Sequence, residues 1–573
     1  GLLSPSCGWN CAMNELLKRL RMTKTHCKAF ADDGALISRN IKLAQAMKDA
    51  QKAINVAVEW AKEMGVEFSV EKTVVMLFTN KRSSSYQMPK GLKIYGQEIP
   101  FSKTAKYLGV TLDDKLIWRP HIENKIKKAK RTLMAIRSVI GKSWGPSPEC
   151  AKWSWTGVIR PALTYGAIVW SRTASQSWAK IKLQRLQRLA LSQIAHVRPS
   201  TPSAALEIMY GVPPLDLFIQ NCAQNAAIRV KPDTSWQPPA KDKARVAHGR
   251  HLQHQFPAGL WQADTDEITR ESVWEKNYTV QIPTKEIDML PSGDIDAYTD
   301  GSLMGGKSGA FILKKSEGKR RHFCSLRGNT KQATVFQSEV IAVKSAADAL
   351  LSNNPSGKRI VFHIDNQATL KTLDSTDITK KTCKETRETL NKLGRKNTVV
   401  LEWVKAHVGI LGNEEADKLA KAGGNSTAVL GLGLTAKSAI RKELKESMIS
   451  KWTERWQSSK DFRQTKIWYP TPDQPKSEQL LKHARSVVGR MARFLSGFAF
   501  LLRQSTIVNQ SRNPPLGDVS CRLCGEKDET PIHIICDCGH FITHRLHTIG
   551  VHQMPETNPA TDMASLVKFL QLE

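Results

Sequence analysis

The chain lacks the features that place a protein in or across a membrane. No apolar run among its 573 residues is long enough to span a bilayer. Residues 1–7 contain no basic segment followed by an apolar one, so they do not form a secretory signal. Because position 1 is Gly and not Met, we expect the chain to be part of a longer protein. No membrane partner is expected.

Cysteine shows no disulfide framework. Seven of the eleven Cys residues are scattered without regular spacing, and the other four lie together near the C-terminus. This usage is typical of a reducing compartment. We therefore expect a nuclear or cytoplasmic protein, or one found in both.

Acidic residues are scarce beside basic ones. The chain has 53 Asp+Glu against 85 Lys+Arg, and its net charge is +32. This excess favours a protein that binds phosphate backbones, because each neutralised phosphate releases counterions. The alternative is a basic surface that serves only solubility. A hydrophobic content of 40% and a charged content of 24% are those of a globular protein, and the length predicts several domains.

Two acidic residues directly follow predicted strands. Asp300 comes after a strand at 295–299, and Asp365 comes after a strand at 359–364. Strand ends in a mixed α/β sheet are places where functional side chains meet. Further strands are predicted at 309–314, 322–326 and 398–404.

Two more acidic residues lie on predicted helices. Thr334 and Gln337 form a capping box, and Glu339 falls at the edge of the apolar face of the helix that follows. Asn413 is predicted to cap another helix, with Asp417 just inside it. All four acids can therefore converge on one point.

Four converging carboxylates raise each other's pKa and destabilise the fold unless a cation binds between them. Two hard divalent ions resolve the repulsion and create a phosphodiester hydrolase. His407 lies on a loop near Gly409 and is suited to proton shuttling or product release.

The motifs around these acids resemble type-1 ribonuclease H. They are Tyr-Thr-Asp-Gly-Ser at 298–302, Gln-Ser-Glu at 337–339, Ile-Asp-Asn-Gln-Ala at 364–368 and Trp-Val-Lys-Ala-His at 403–407, continuing through Asp417. One departure is Lys405-Ala406, where the family commonly has Pro-Gly. The resemblance implies a mixed five-stranded sheet with flanking helices and two Mg²⁺ held by the four acids.

The same resemblance implies endonucleolytic cleavage of the RNA strand of RNA–DNA hybrids. Selectivity would come from 2′-hydroxyls read across the shallow minor groove. The residues expected to contact substrate are Gly301, Ser302, Asn366 and Gln367.

A second resemblance lies near the N-terminus. Phe-Ala-Asp-Asp, ending in Asp32 and Asp33, is similar to the palm motif of reverse transcriptases. The motifs at 1–5, 65–73 and 107–110 resemble flanking motifs of the LINE-type (non-LTR) retrotransposon polymerase, with Lys72 as the basic group near the triphosphate. That family needs an earlier Asp, upstream of position 1, so we expect this chain alone not to polymerise DNA, although its parent would.

Helices are predicted at 121–140, 149–169, 176–197 and 203–230, and a basic amphipathic helix is predicted at 477–502. The basic faces of the first four, with interleaved Trp, suit a thumb that grips a duplex. The alternative for each Trp is a core position. Residues 231–290 are predicted to be a linker because they are rich in Pro, Gln, His and charge. The Trp residues concerned are Trp153, Trp155, Trp170 and Trp178.

The Cys residues near the C-terminus have metal-ligand spacing. Cys521, Cys524, His533 and Cys538 fit a tetrahedral Zn²⁺ site, and Cys536 is a competing fourth ligand. The spacing to Cys538 is similar to that of the zinc knuckle in the same retroelement polyproteins. The alternative is a structural cluster without metal.

Together these patterns predict a mixed α+β protein: a partial reverse-transcriptase palm, a helical thumb, a ribonuclease H domain and a zinc knuckle. The partners implied are RNA–DNA hybrid, element RNA and target DNA. The alternative function is a non-catalytic, nucleic-acid-binding remnant of a retroelement. The predicted domains are palm 1–120, thumb 121–230, linker 231–290, ribonuclease H 291–425, helical basic region 426–510, zinc knuckle 511–550 and tail 551–573.

Overall fold

A computed structural model gives the fold of most of the chain. It describes residues 5–79, 89–141, 144–195, 197, 201–230, 265–282, 293–302, 308–315, 318–325, 334–406, 408–423, 434–499, 501, 519–556 and 561–571. The chain forms two compact units. The first unit comprises Gly1–Gln220 and Trp452–Glu573, and the second comprises Asn221–Lys451.

The N-terminal part of the chain combines two helices with short hairpins and then continues with helices only. Its first elements are α1 (Pro5–Arg21), β1 (Thr25–Phe30), β2 (Asp33–Ser38), α2 (Leu43–Met64), β3 (Lys93–Ile94), β4 (Gln97–Glu98), β5 (Thr104–Tyr107) and β6 (Val110–Asp113). The helices that follow are α3 (Arg119–Arg137), α4 (Pro148–Trp153), a π-helical turn (Ser154–Ile159), α5 (Arg160–Thr164), α6 (Ala167–Ala174), α7 (Ser177–Ala195), α8 (Ser203–Tyr210) and α9 (Leu215–Val230).

Strands and helices alternate in the middle of the chain. They are β7 (Glu267–Ser272), β8 (Thr279–Gln281), β9 (Ile295–Ser302), β10 (Ser308–Lys315), β11 (Gly318–Ser325), α10 (Val335–Ser352), β12 (Arg359–Ile364), α11 (Gln367–Asp374), β13 (Asp377–Lys380), α12 (Lys381–Gly394), β14 (Thr398–Trp403) and α13 (Leu411–Gly423).

The described C-terminal part is helical. Its elements are α14 (Lys437–Ser458), α15 (Arg463–Trp468), α16 (Gln474–Leu481), α17 (Arg485–Ser496), α18 (Pro531–Cys536), a 3₁₀ turn (Gly539–Phe541), α19 (Ile542–Ile549) and α20 (Met563–Leu570). None of the helices in the described part of the chain combines the length and apolar content needed to cross a membrane.

A mixed sheet is the centre of the second unit. Its strand order is β11-β10-β9-β12-β14-β8, in which β9, β10 and β11 are antiparallel and β9, β12, β14 and β8 are parallel. Alternate residues of β9, such as Ile295 and Ala297, point into an apolar core with α10. Tyr298 lies on the other face, where its ring lies against Gly412 of α13.

The predicted α10 helix is confirmed in detail. The Thr334 hydroxyl accepts a hydrogen bond from the Gln337 backbone, and the Gln337 side chain accepts one from the Thr334 backbone, which is a complete capping box. Val340, Val343 and Leu350 are fully buried, as the 3.6-residue period requires.

The sheet has six strands and not the predicted five, because it extends into the predicted linker. β8 pairs in parallel with β14, and β7 pairs with β13. Tyr278 is buried in the main core, and its hydroxyl donates to the Leu373 carbonyl at 2.7 Å. The short strands have little hydrophobic periodicity, so the polar composition of the segment outweighed them in the sequence pattern.

Several predicted long helices are interrupted. The segment 149–169 breaks at Gly166, which has φ of 70°, and 203–230 breaks at Gly211 before two Pro residues. The segment 477–502 likewise divides between α16 and α17. Glycine in the left-handed region ends a helix even where the apolar pattern continues.

The predicted thumb tryptophans have two different roles. Trp155 and Trp170 are each 1% exposed, so the core alternative is correct for them. Trp153 is 62% exposed, and the Arg119 guanidinium lies 4.6 Å from the ring centre of Trp178. Trp153 is therefore accessible to a partner, whereas Trp178 is half-buried and forms a cation–π contact with Arg119.

Polar bonds join the two chain segments of the first unit. Arg455 forms a bidentate ion pair with Asp216, with distances of 2.9 and 2.8 Å. The buried Arg485 guanidinium donates to the carbonyls of Gln193 and Ile194 at 2.8 Å. The described residues after 452 therefore pack in the same compact unit as the N-terminal helices, whereas the sequence predicted separate domains there.

Tyr278 tests whether the segment before residue 290 belongs to the fold. Tyr278→Ala is expected to destabilise the second unit by about 3–5 kcal/mol, because it removes a buried aromatic side chain and its hydrogen bond. Faster hydrogen exchange of the β12 and β14 amides would report the loss. Trp274→Ala, at an 81% exposed position, is the control and should leave the exchange unchanged. Equal exchange in both variants would restore the linker interpretation.

Candidate functional site

Three carboxylates meet at one end of the mixed sheet. Asp300 lies in β9, Asp365 directly follows β12, and Glu339 is in the second turn of α10. One oxygen atom from each lies within 4.8 Å of the others. Asp300 and Glu339 are buried, and Asp365 is half-buried. The parallel pairing of Ile364 with Thr299 brings the two aspartates to the same level of adjacent strands.

Gly301 allows α10 to come this close to β9. A Cβ atom at this position would lie 2.6 Å from the Glu339 backbone nitrogen and 3.0 Å from its carboxyl carbon. The Gly301 N–H donates to the carboxylates of both Asp300 and Glu339. The glycine therefore provides both the space and a hydrogen bond.

Burial and mutual repulsion disfavour charge on these acids. Burial, followed by the charges of Asp365 and Asp417, raises the pKa of Asp300 to about 7. Burial, followed by the charges of Asp300 and Asp365, raises the pKa of Glu339 to about 9. Both groups consequently bind protons at neutral pH when no cation compensates them.

The donor set fits a divalent cation of the magnesium or calcium type. Its atoms are hard carboxylate oxygens, the ligands that such ions prefer. The Glu339 Oε2 atom is buried and has no hydrogen-bond partner among the described residues. A bound cation would satisfy this atom and remove the repulsion that raises the two pKa values.

Asp417 approaches the same site from α13. Its charge is one of the causes of the raised Asp300 pKa, although it is not within the 4.8 Å group. The Lys421 ammonium, one turn further along α13, donates to the Asp417 carboxylate at 2.5 Å. Its charge also lowers the pKa of Asp300, so this lysine partly balances the site.

Asn413 has a different role from the predicted helix cap. Because α13 begins at Leu411, Asn413 lies within its first turn and Asp417 lies in its second. The buried Asn413 amide instead donates to the Asp365 carboxylate at 3.3 Å. The four-residue spacing of Asn413 and Asp417, which puts both on one helix face, is the sequence signal that could have indicated this role. The Trp403 indole packs against the core and also donates to the Asp365 carbonyl at 3.0 Å.

The predicted substrate contacts lie around the acids. Asn366 caps α11 through bonds to the backbone of Ala368 and Thr369, and its side chain also hydrogen-bonds Glu339. The Asn366 side chain therefore orients the Glu339 carboxylate and also faces the site. Gln367 is half-buried at the start of α11, and Ser302 is buried at the end of β9. His407 lies outside the described residues.

The predicted polymerase residues are at a hairpin in the first unit. β1 and β2 pair with Phe30 opposite Asp33, so Asp32 lies in the tight turn and both acids are exposed. Ala31 has φ of 52°, and its carbonyl accepts the Trp9 indole N–H at 3.0 Å. Lys72 is exposed as well. No group of metal-ligating side chains that the structure describes includes Asp32 or Asp33.

The hairpin of β5 and β6 supports this region. Leu108 and Gly109 both have positive φ, which is the turn that a two-residue hairpin favours. The Tyr107 hydroxyl donates to the Lys28 carbonyl at 3.5 Å, and the Tyr165 hydroxyl donates to the Leu108 carbonyl at 3.1 Å.

The C-terminal Cys and His residues form a second metal-capable group. Ligand atoms of Cys521, Cys524, His533 and Cys538 lie within 4.8 Å of one another. The Cys524 sulfur is 3.3 Å from His533 Nε2, and the Cys521 and Cys538 sulfurs are 3.9 Å apart. Cys536 is not in this group. Burial raises the pKa of both Cys536 and Cys538 to about 12, so position and not acidity distinguishes the two thiols.

Two segments of the chain match known protein families. Residues 293–425 match the family model "RNase H", and 32% of 152 aligned residues are identical to the ribonuclease H of Jannaschia sp. (strain CCS1). That alignment covers 23% of this chain and 90% of the bacterial protein. The chain belongs to the ribonuclease H family.

Residues 1–112 match the family model "Reverse transcriptase (RNA-dependent DNA polymerase)". A putative 115 kDa protein in the type-1 retrotransposable element R1DM of Drosophila melanogaster is 28% identical over 211 residues, 36% of this chain and 20% of that protein. The retrovirus-related Pol polyprotein from the type-1 retrotransposable element R1 of Nasonia vitripennis is 24% identical over 278 residues, 48% of this chain and 82% of its own length. The chain thus spans about a fifth of the first of these relatives.

These matches confirm a ribonuclease H domain within Pol sequence of the LINE-type (non-LTR) retrotransposons. Membership of the ribonuclease H family implies a divalent metal at the carboxylates, and the two domains together imply binding of nucleic acids, including RNA–DNA hybrids.

The raised pKa of Glu339 predicts how the metal-free protein responds to pH. The folded state binds more protons than the unfolded state between pH 4.5 and about 9, so the free energy of unfolding falls as pH rises across this window. Glu339→Gln removes the penalty and should stabilise the ribonuclease H domain by about 1–3 kcal/mol at pH 8 in EDTA. Thermal unfolding at pH 5 and pH 8 measures it.

The matched control is Glu388→Gln, which makes the same change at an exposed position of α12 and should have little effect. Millimolar Mg²⁺ should reverse the order and make the wild type the more stable protein. A wild-type stability in EDTA that rises from pH 5 to pH 8 would contradict the assigned repulsion.

Proposed function

We propose that the ribonuclease H domain cleaves the RNA strand of RNA–DNA hybrids by metal-dependent hydrolysis. The observation that carries the proposal is the convergence of Asp300, Glu339 and Asp365 within 4.8 Å, with the charge of Asp417 close enough to act on Asp300. Buried acids with raised pKa values, whose repulsion Lys421 balances only in part, are costly to keep in a fold unless they bind a cation.

The residues have separate tasks in this proposal. Asp300, Glu339, Asp365 and Asp417 would hold two Mg²⁺ ions. Ions bound there would activate the attacking water and stabilise the leaving 3′-oxygen. The Asn413 amide and the Gly301 N–H hold the carboxylates in position, and Asn366 orients Glu339. His407 would assist proton transfer or product release.

The whole protein is proposed to act in retrotransposition. Its partners would be the element RNA, the RNA–DNA hybrid made from it and the target DNA, and its polymerase would copy RNA into DNA. The net charge of +32 supports contact with phosphate backbones. We propose that the protein carries out this activity in the nucleus, the cytoplasm or both.

Asp365→Asn tests the nuclease site. We expect the substitution to lower Mg²⁺-dependent cleavage of a labelled RNA–DNA hybrid by at least about 100-fold, because the Asn side chain cannot supply the charge that stabilises the transition state. Hybrid binding, measured by fluorescence anisotropy in Ca²⁺, should be retained. Asp374→Asn, at an exposed position of α11, is the control and should cut at the wild-type rate.

Two outcomes would contradict this assignment. Normal cleavage by Asp365→Asn would place the chemistry elsewhere. Wild-type protein that binds the hybrid and does not cut it in Mg²⁺ or Mn²⁺ would instead support a non-catalytic, nucleic-acid-binding remnant.

We also propose that Cys521, Cys524, His533 and Cys538 bind one Zn²⁺ ion. Three thiolates and an imidazole are a donor set that zinc prefers, and their proximity supports a tetrahedral site. The backbone N–H of Glu526 holds the pKa of Cys524 below its usual range, which favours the thiolate. The surrounding segment is small, so the metal would contribute directly to its folding.

Zinc content distinguishes the ligands. The purified protein should contain one zinc per chain, and Cys538→Ala should lose it because the site keeps only three donors. Cys536→Ala is the matched control, since this thiol is also fully buried but is not in the group, and it should retain the zinc. Atomic emission after dialysis measures both. Loss of zinc in Cys536→Ala with retention in Cys538→Ala would reverse the assignment.

A further inference from the structure

Arg545 is a fully buried cation beside the Cys/His group. It lies in α19, and none of its surface is exposed. Its guanidinium donates to four backbone carbonyls: Cys538 at 2.9 Å, His552 at 2.7 Å, Ile535 at 3.2 Å and Ile534 at 3.4 Å. These bonds use its donors but do not balance its charge, because carbonyl oxygens carry only partial charges.

A buried charge needs a counter-charge. The charge of Asp537 acts on Arg545 without forming an ion pair with it, and the salt bridges of the nearby carboxylates are to other cations. Asp537 pairs with Lys527, and Glu529 pairs with Arg522. In the part of the chain that the structure describes, no carboxylate forms an ion pair with Arg545. An arginine left in this state would cost several kcal/mol, since burying an uncompensated ion is strongly unfavourable.

The proposed zinc site supplies the missing charge. Three thiolates, one neutral imidazole and one divalent ion carry a net charge of −1, because coordinated Cys is deprotonated. The arginine carries +1, so the buried pair is neutral. The Cys538 carbonyl that Arg545 binds belongs to one of the ligands, which puts the two charges next to each other.

We propose that Arg545 is the counter-charge and positioning residue of the zinc site. This inference rests on the zinc binding proposed above. The guanidinium ties the end of α18, which carries His533, to the loop that carries Cys538, because it bonds the Ile534, Ile535 and Cys538 carbonyls together. It therefore holds two ligands in register and balances the charge that forms when they bind the metal.

The first experiment measures metal affinity in the full-length chain. Zinc would be titrated in competition with a chromophoric chelator, and Co²⁺ absorption would report the tetrahedral thiolate site. Arg545→Gln should weaken affinity by about 10–100-fold, the range found when outer partners of metal ligands are removed. Arg545→Lys keeps the charge and should retain most of the affinity. Lys568→Gln, which removes an exposed cation of α20, is the control and should leave it unchanged.

The second experiment separates charge from structure. Cys524→His replaces a thiolate with a neutral imidazole, so the zinc site becomes neutral and no longer needs a counter-charge. In this background Arg545→Gln should weaken zinc affinity much less than in the wild type. The difference between the two losses in binding free energy is the coupling between Arg545 and Cys524. An equal loss of zinc affinity in both backgrounds would mean that Arg545 acts only through its hydrogen bonds to carbonyls. That result would overturn its role as counter-charge.

The controls keep the two proposals distinguishable. Wild-type protein that binds neither zinc nor Co²⁺ would refute the zinc site itself. Wild-type binding with unchanged affinity in Arg545→Gln would refute only the role of Arg545. If Arg545→Gln does not fold, Arg545→Lys decides alone. If Arg545→Lys keeps the zinc affinity of its parent protein in both backgrounds, the counter-charge role is supported. An equal large loss of affinity in both backgrounds excludes that role.

Discussion

Repulsion between like charges at the end of one sheet is the constraint around which the second unit is built. Asp300, Glu339 and Asp365 occupy a space where burial already disfavours ionisation. The neighbouring structure reduces this penalty only in part, through the Gly301 N–H and the Asn413 amide. The negative charge that stays uncompensated gives the site its capacity to bind a cation, and in this family that capacity underlies the function.

Much of this unit could be predicted from local pattern. The strands that end at Asp300 and Asp365 have alternating or continuous apolar residues, and the Thr334–Gln337 capping box fixes the start of the helix that carries Glu339. Each of these signals lies within a few adjacent residues, so it can be recognised without knowledge of the fold.

The features that the sequence did not reveal depend on tertiary contacts. β8 is three residues long and is defined by its pairing with β14, which lies more than a hundred positions further along the chain. Asparagine is a common helix cap, but Asn413 lies within the first turn of α13. The position of Asp365 explains this, because the Asn413 amide donates to the Asp365 carboxylate. Asp417 was predicted as a member of the carboxylate site, but the four-residue spacing to Lys421 does not indicate that this lysine also lowers the pKa of Asp300.

The first unit consists of two segments that are distant in sequence, and the bonds of Arg455 to Asp216 and of Arg485 to the end of α7 form only when both are present. The second unit is continuous, from Asn221 to Lys451. During synthesis the second unit therefore leaves the ribosome complete while the first unit still lacks the helices that follow residue 452. The second unit can fold first, and the first unit stays partly assembled until the helices after residue 452 emerge.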